Sequence, residues 1–121
     1  GLIAANGRYA GGLLLAPRAR IGDLRLEVLA VTAETFAARA KLAALLAAGL
    51  VDSFRLHHQE GGLYSWWDYR MLGFPKNDGL RIDHVLLAGE LAGRCTGAFI
   101  DRDERKGKLP SDHAPVFAEL A

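Results

Sequence analysis

Short apolar runs at both ends of this chain, alternating in part at residues 24–31, flank a long alanine-rich stretch. Residues 13–15 (Leu-Leu-Leu) and 24–31 (Leu-Arg-Leu-Glu-Val-Leu-Ala-Val) read as two strands, punctuated by Pro17 and Gly22-Asp23. Together they predict a β-hairpin within residues 1–31. Asn6-Gly7 and Gly11-Gly12 mark turns, and no lysine follows the paired glycines at phosphate-loop spacing. Residues 33–48 have high helix propensity, with Phe36, Leu42, Leu45 and Leu46 largely on one face. Thr32 is the predicted N-cap, Glu34 falls in the first turn where the helix dipole favours an anion, and Gly49 supplies a left-handed stop. This helix is expected to cover a sheet, with Glu34, Arg39 and Lys41 as its solvated face.

Residues 50–55 form a short strand or turn, and His57-His58 follow in a polar loop closed by Gly61-Gly62. Adjacent histidines point apart on a strand and have no acid at helical spacing, so loop residues are a better reading than metal ligands. Residues 64–69 alternate enough for a strand, and residues 73–79 (Gly-Phe-Pro-Lys-Asn-Asp-Gly) force an irregular loop. Residues 82–88 are a near-continuous apolar run with a polar entry, the mark of a strand buried on both faces. A short turn or helix from Leu91, a strand at 95–100, a charged loop at 101–108 and a closing strand at 114–120 complete the pattern.

Composition narrows the class. The 121 residues are one domain's worth, half of them hydrophobic and 24% charged, which fits a folded globular chain. A net charge of +1 gives no bulk attraction for nucleic acid, so any affinity for phosphate has to be local. The single cysteine, Cys95, excludes an intrachain disulfide and a thiol zinc cluster and is compatible with a reducing compartment. Arg8, Arg18, Arg20 and Asp23 interrupt the apolar N-terminal region, which has neither the length of a membrane span nor a signal-peptide pattern. A cytoplasmic location without membrane association is the expectation.

Two polar clusters stand out, each leading into a strand. Residues 64–84 gather aromatics, Arg70, Asn77 and Asp83, and residues 110–115 end a basic loop with adjacent Asp112 and His113. Such clusters point to a site assembled where strands end in an α/β sheet. Trp67 is as well explained by a core as by a site, whereas Trp66 has charged neighbours. A carboxylate at Asp83, between Ile82 and a buried run, needs a specific partner, for which Arg81 is the bland candidate.

From about Leu45 onward these residues resemble the C-terminal part of the exonuclease III family of AP endonucleases, within the endonuclease/exonuclease/phosphatase fold. Residues 49–55 (Gly-Leu-Val-Asp-Ser-Phe-Arg), 64–70 (Tyr-Ser-Trp-Trp-Asp-Tyr-Arg), 77–84 (Asn-Asp-Gly-Leu-Arg-Ile-Asp-His) and 110–116 (Pro-Ser-Asp-His-Ala-Pro-Val) carry the likeness, in the family's order. It implies a fold class of α/β, the C-terminal half of a four-layer sandwich, with one mixed β-sheet and a covering helix over residues 32–121 and a divergent segment at 1–31. It also implies phosphodiester hydrolysis on DNA, including DNA with abasic sites, using Mg²⁺ or Mn²⁺. By the same resemblance His113 takes the catalytic histidine role, Asp83 orients it and Asp112 binds the metal. Asn77, Arg70, Lys76 and Trp66 lie toward the DNA, with Trp66 against the sugar or base side of a lesion.

The chemistry is coherent by itself. Phosphodiester hydrolysis needs an activated water, a cation against charge growing on the phosphoryl oxygens, and fixed geometry. A carboxylate on one imidazole nitrogen fixes the tautomer and stabilises the imidazolium, and Mg²⁺ takes only one or two protein carboxylates. Aromatics beside Arg70 and Lys76 suit stacking with phosphate attraction. The chain departs from the family pattern in lacking its N-terminal metal glutamate, catalytic tyrosine and Gly-Asp-Phe-Asn segment; Gly22-Asp23-Leu24-Arg25 only begins like the last. Half a sandwich leaves an apolar sheet face uncovered, so a homodimer or a partner chain is expected there.

Overall fold

The near-continuous apolar run at residues 82–88 becomes an inner strand of the first sheet. In the computed structural model, which describes residues 2–5, 14–15 and 28–121, β7 (Asp83–Leu87) is buried at all five positions. It lies between β3 (Val28–Thr32) and β4 (Val51–Asp52), both antiparallel to it, and β2 (Leu14–Leu15) pairs antiparallel with β3, giving the order β2-β3-β7-β4. A strand covered on both edges and both faces needs no polar alternation, which is what residues 82–88 show. The turns assigned to Asn6-Gly7, Gly11-Gly12 and Gly22-Asp23, and the strand positions 24–27, lie outside the described residues.

A second sheet has β9 (Val116–Leu120) at its centre, between β1 (Leu2–Ala5) and β8 (Cys95–Ile100). The period of two along β3 and β7 sorts side chains to two faces. Val28, Val85 and Leu87 meet Val116 and Ala118 of the second sheet, while Leu29, Val31 and Leu86 face Leu42, Leu45 and Leu50. The layers are therefore sheet, sheet and helix. This corrects two expectations. The strands divide between two antiparallel sheets, plus a small pair described below, because residues 95–120 close on β9 instead of extending β7. The face expected to lie open is covered from within the chain, leaving Val85 and Leu87 at 0% exposure.

The covering helix α1 (Phe36–Ala47) begins later than expected, capped by Thr35, whose hydroxyl accepts from Ala38 N at 3.0 Å. Thr32 is kept in β3 by its register opposite Asp83, and Ala33 N donates to Ile82 O at 2.7 Å, so the helix cannot start there. The shift turns Phe36 to solvent at 88% exposure, against the predicted apolar face. Gly49 stops the helix with φ +103°, as anticipated.

Asp52 caps α2 (Ser53–His57) by accepting from Phe54 N at 3.2 Å, so His57 ends a helix where a loop was expected. His58 stacks on Phe54 with ring centroids 4.5 Å apart and bonds through Nε2 to Ala98 O at 2.6 Å. The strand foreseen at 64–69 shrinks to β5 (Trp66–Trp67), paired with β6 (Gly79–Leu80), because the Asp68 carboxylate accepts from Arg70 N at 2.9 Å and turns the chain. The predicted loop contains α3 (Gly73–Lys76), ended by left-handed Asn77. Helix α4 (Gly89–Ala92) precedes β8, and a 3₁₀ turn (Arg102–Lys106) occupies the charged loop. No helix among the described residues is long and apolar enough to cross a membrane.

Candidate active site

The site starts from the first residue of β7. Asp83 is 1% exposed, and its Oδ1 accepts from Thr32 Oγ1 at 3.0 Å across the β3–β7 register. Buried Ser65 accepts from both Ile82 N and Asp83 N at 3.1 Å, fixing the backbone beneath the carboxylate. Asp83 Oδ2 lies 2.7 Å from His113 Nδ1, and the imidazole is itself buried. The competing partner Arg81 is engaged elsewhere: it donates to Asp52 Oδ2 at 2.6 Å and contacts His84 Nδ1 at 3.1 Å.

His113 enters from the loop before β9, held to β5 by a bridge with Trp66. Its Nε2 is 3.1 Å from Glu34 Oε1 and 3.9 Å from Asp112 Oδ1. Burial by itself would depress this histidine's pKa. The bond to Asp83, with the charges of Asp83, Asp112 and Glu34, outweighs burial and raises it. The imidazolium can donate to Asp83 and Glu34 at once, which a neutral ring cannot do.

Beside the pair lies a cleft of about 250 Å³ lined by Glu34, Arg39, Trp66, Leu80, Ile82 and Asp112. Trp66 Nε1 donates to Asp112 Oδ2 at 2.9 Å, which orients the carboxylate and leaves Oδ1 on the histidine side. Asp112 and Glu34 are hard oxygen donors of the kind Mg²⁺ takes, one or two at a time, with water and phosphate completing the shell. Among the described residues no three His, Cys, Asp or Glu side chains gather within a metal's reach.

His113, Asp83, Asp112 and Trp66 thus converge. Arg70, Lys76 and Asn77 stand apart from that contact network. Arg70 is exposed and grips Asp68, at 2.8 Å through Nη2, and that bond raises its pKa. Lys76 is exposed at the end of α3. The Asn77 amide is occupied at both ends, its Oδ1 accepting from Trp67 Nε1 at 3.1 Å and its Nδ2 donating to Gly62 O at 2.9 Å. Trp67, at 0% exposure, belongs to the core. Sequence reasoning missed Glu34, Thr32 and Ser65. Glu34 is not simply solvated, and only strand register could have exposed it, since Thr32 opposite Asp83 puts Glu34 just past the strand end.

A buried carboxylate–imidazole pair at a strand end, beside a cleft with tryptophan and aspartate, sits on stacked antiparallel sheets of a layered α/β architecture. Residues 8–113 match the Endonuclease/Exonuclease/phosphatase family, and the chain belongs to it. It is 51% identical over 73 residues to exodeoxyribonuclease III of Haemophilus influenzae, an alignment covering 60% of this chain and 27% of that protein. It is 38% identical over 79 residues to DNA repair nuclease APEX1 of Danio rerio, covering 64% of this chain and 24% of that one. Among solved structures, the 3′ phosphatase NExo from Neisseria bound to product DNA hairpin superposes with a TM-score of 0.66 at 42% identity, covering 71% of this chain and 34% of that one. An AP endonuclease from Archaeoglobus fulgidus gives a TM-score of 0.64 at 32% identity, covering 71% and 34%. The chain spans about a quarter of the length of the curated relatives it matches.

Proposed function

We propose that this chain carries the histidine–aspartate part of a DNA phosphodiester-hydrolysing site of the exonuclease III and AP endonuclease type. The observation that carries this reading is the 2.7 Å contact between Asp83 and His113 at the edge of the Trp66–Asp112 cleft. His113, when protonated, donates from Nε2 to a phosphoryl oxygen in place of Glu34, and Asp83 stabilises the charge and fixes the ring. Trp66 offers a flat face to a sugar or base. Arg70 and Lys76 attract the flanking phosphates, and Asn77 fixes the loop that presents Lys76. Asp112, with Glu34 across the cleft, would hold Mg²⁺ or Mn²⁺, which when bound neutralises phosphoryl charge and acidifies a water.

In this reading residues 32–121 carry the site, and residues 1–31 supply the edge strands β1 and β2 and most of the inner strand β3. Two carboxylates are within the number Mg²⁺ takes from protein. Further ligands come from water, substrate, a second copy or a partner chain at the cleft. A DNA substrate and the single Cys95 fit a reducing compartment such as the cytoplasm.

The test is incubation of the chain with a duplex containing one abasic site and Mg²⁺ or Mn²⁺. Strand scission that chelation stops and His113→Ala abolishes is the expected result. No scission with either metal, or scission indifferent to His113, overturns the reading. The departures of the sequence from the family's N-terminal pattern favour a second reading, a DNA-binding module without hydrolysis. Its signature is salt-sensitive affinity for DNA that survives His113→Ala, and absence of DNA binding removes it.

A further inference from the structure

Arg105 sits in the charged 3₁₀ turn, yet it is 6% exposed and makes no ion pair among the described residues. Its guanidinium lies against the rings of Phe74 at 5.0 Å, Tyr69 at 5.2 Å and Trp67 at 6.0 Å. Nη1 donates to Ser111 O at 2.6 Å, and Nε is buried without a hydrogen-bond partner. Burying a cation this way costs free energy that an apolar side chain of similar length would avoid, so packing alone does not account for the charge.

What the charge reaches is the backbone immediately before Asp112 and His113. Three consecutive carbonyls there are held, the outer two by the aromatic segment and the middle one by Arg105: Pro110 O accepts from Tyr69 Oη at 2.6 Å, Ser111 O from Arg105, and Asp112 O from Trp67 N at 3.1 Å. Ser111 Oγ in turn accepts from His113 N at 3.1 Å. Residues 106–109 are exposed, and Leu109, with φ +49°, is 96% exposed, so packing there does little to hold the loop. Of the three ties only the middle one comes from a charged donor, and such bonds are the stronger kind.

We propose that Arg105 is a positioning residue for the candidate site: by clamping the Ser111 carbonyl to the Trp67–Tyr69–Phe74 wall it sets where Asp112 and His113 are presented. It touches no reacting atom. The proposal rests on the functional reading above only for its activity arm; the structural arm stands without it.

The test compares Arg105→Met and Arg105→Lys in the full chain by amide and indole hydrogen exchange. The Trp66 indole proton reports Asp112, and the His113 amide proton reports Ser111 Oγ. Arg105→Met should speed exchange at both by about tenfold or more, the loss of one charged hydrogen bond, while β3 and β7 amides keep their protection. Arg105→Lys should recover part of it. In the scission assay Arg105→Met should lower kcat with KM little changed. Unaltered exchange at Trp66 and His113 overturns the proposal, as does equal loss of protection across β3 and β7, or failure of both variants to fold, either of which makes Arg105 a core residue. If the wild-type chain cuts no DNA, the functional reading fails while the exchange data still decide the role of Arg105.

Discussion

At the scale of single residues, the molecule turns on an imidazole with carboxylates at both nitrogens. Replacing Asp83 with Asn removes the closest charge, so His113 should titrate at a lower pH than in the wild type, as read by imidazole NMR shifts. Stability should fall by about 1–3 kcal/mol, the cost of a charged buried hydrogen bond, and an unmoved titration would contradict the pairing. Because the folded-state pKa of His113 is raised, its contribution to stability is complete below the unfolded value of about 6.5 and is lost as pH rises through the folded value. Urea midpoints across that window should therefore decline with pH in the wild type and flatten in His113→Ala. The residues alone asked only that Asp83, a carboxylate entering an apolar strand, have a partner; His113 was named for it by the resemblance to the exonuclease III family. Glu34 was not legible in the sequence, because its proximity to His113 depends on where β3 ends, which local periodicity does not encode.

At the scale of elements, two features hold the site's frame. Arg81 joins β6 to β7 in sequence and pairs with Asp52 at the end of β4, both side chains largely buried. Burial alone would raise the Asp52 pKa, but the bonds to His84 and Arg81 hold it far below the usual carboxylate range. Arg81→Ala strands that carboxylate, and chemical denaturation should show a loss of about 3–5 kcal/mol; a loss below about 1 kcal/mol would mean the pair is solvent-relaxed. Gly79 is the second feature. A Cβ there would meet Trp66 O and Trp67 Cδ1, both at 2.6 Å, so Gly79→Ala forces β5 away from β6. The expected cost is about 1–3 kcal/mol by tryptophan-monitored unfolding, and a neutral result would contradict the close packing of this strand pair. Strand β8, Cys95–Ile100, agrees with its apolar run because turns bound it tightly, whereas α1 was placed early because helix propensity at Ala33 yields to the strand register of Thr32 and to the Ala33–Ile82 bond.

At the scale of the whole molecule, two antiparallel sheets and a helix put the ends of β3, β5 and β7 beside the loop that carries His113. Family membership and the α/β class were readable from motifs and patterning. The division into two sheets was not, since pairing of β8 with β9 instead of β7 is a choice among similar apolar strands, made by connection and packing. For the same reason the face between the two sheets is filled from within the chain. The proposed function puts DNA phosphate at the Asp83-held imidazole. The most direct test is titration of an abasic-site duplex into protein carrying ¹⁵N in histidine and tryptophan. Shifts at His113 Nε2 and the Trp66 indole that saturate together and weaken with added salt are the predicted result. Binding that moves neither signal, or no binding at low salt, would contradict it.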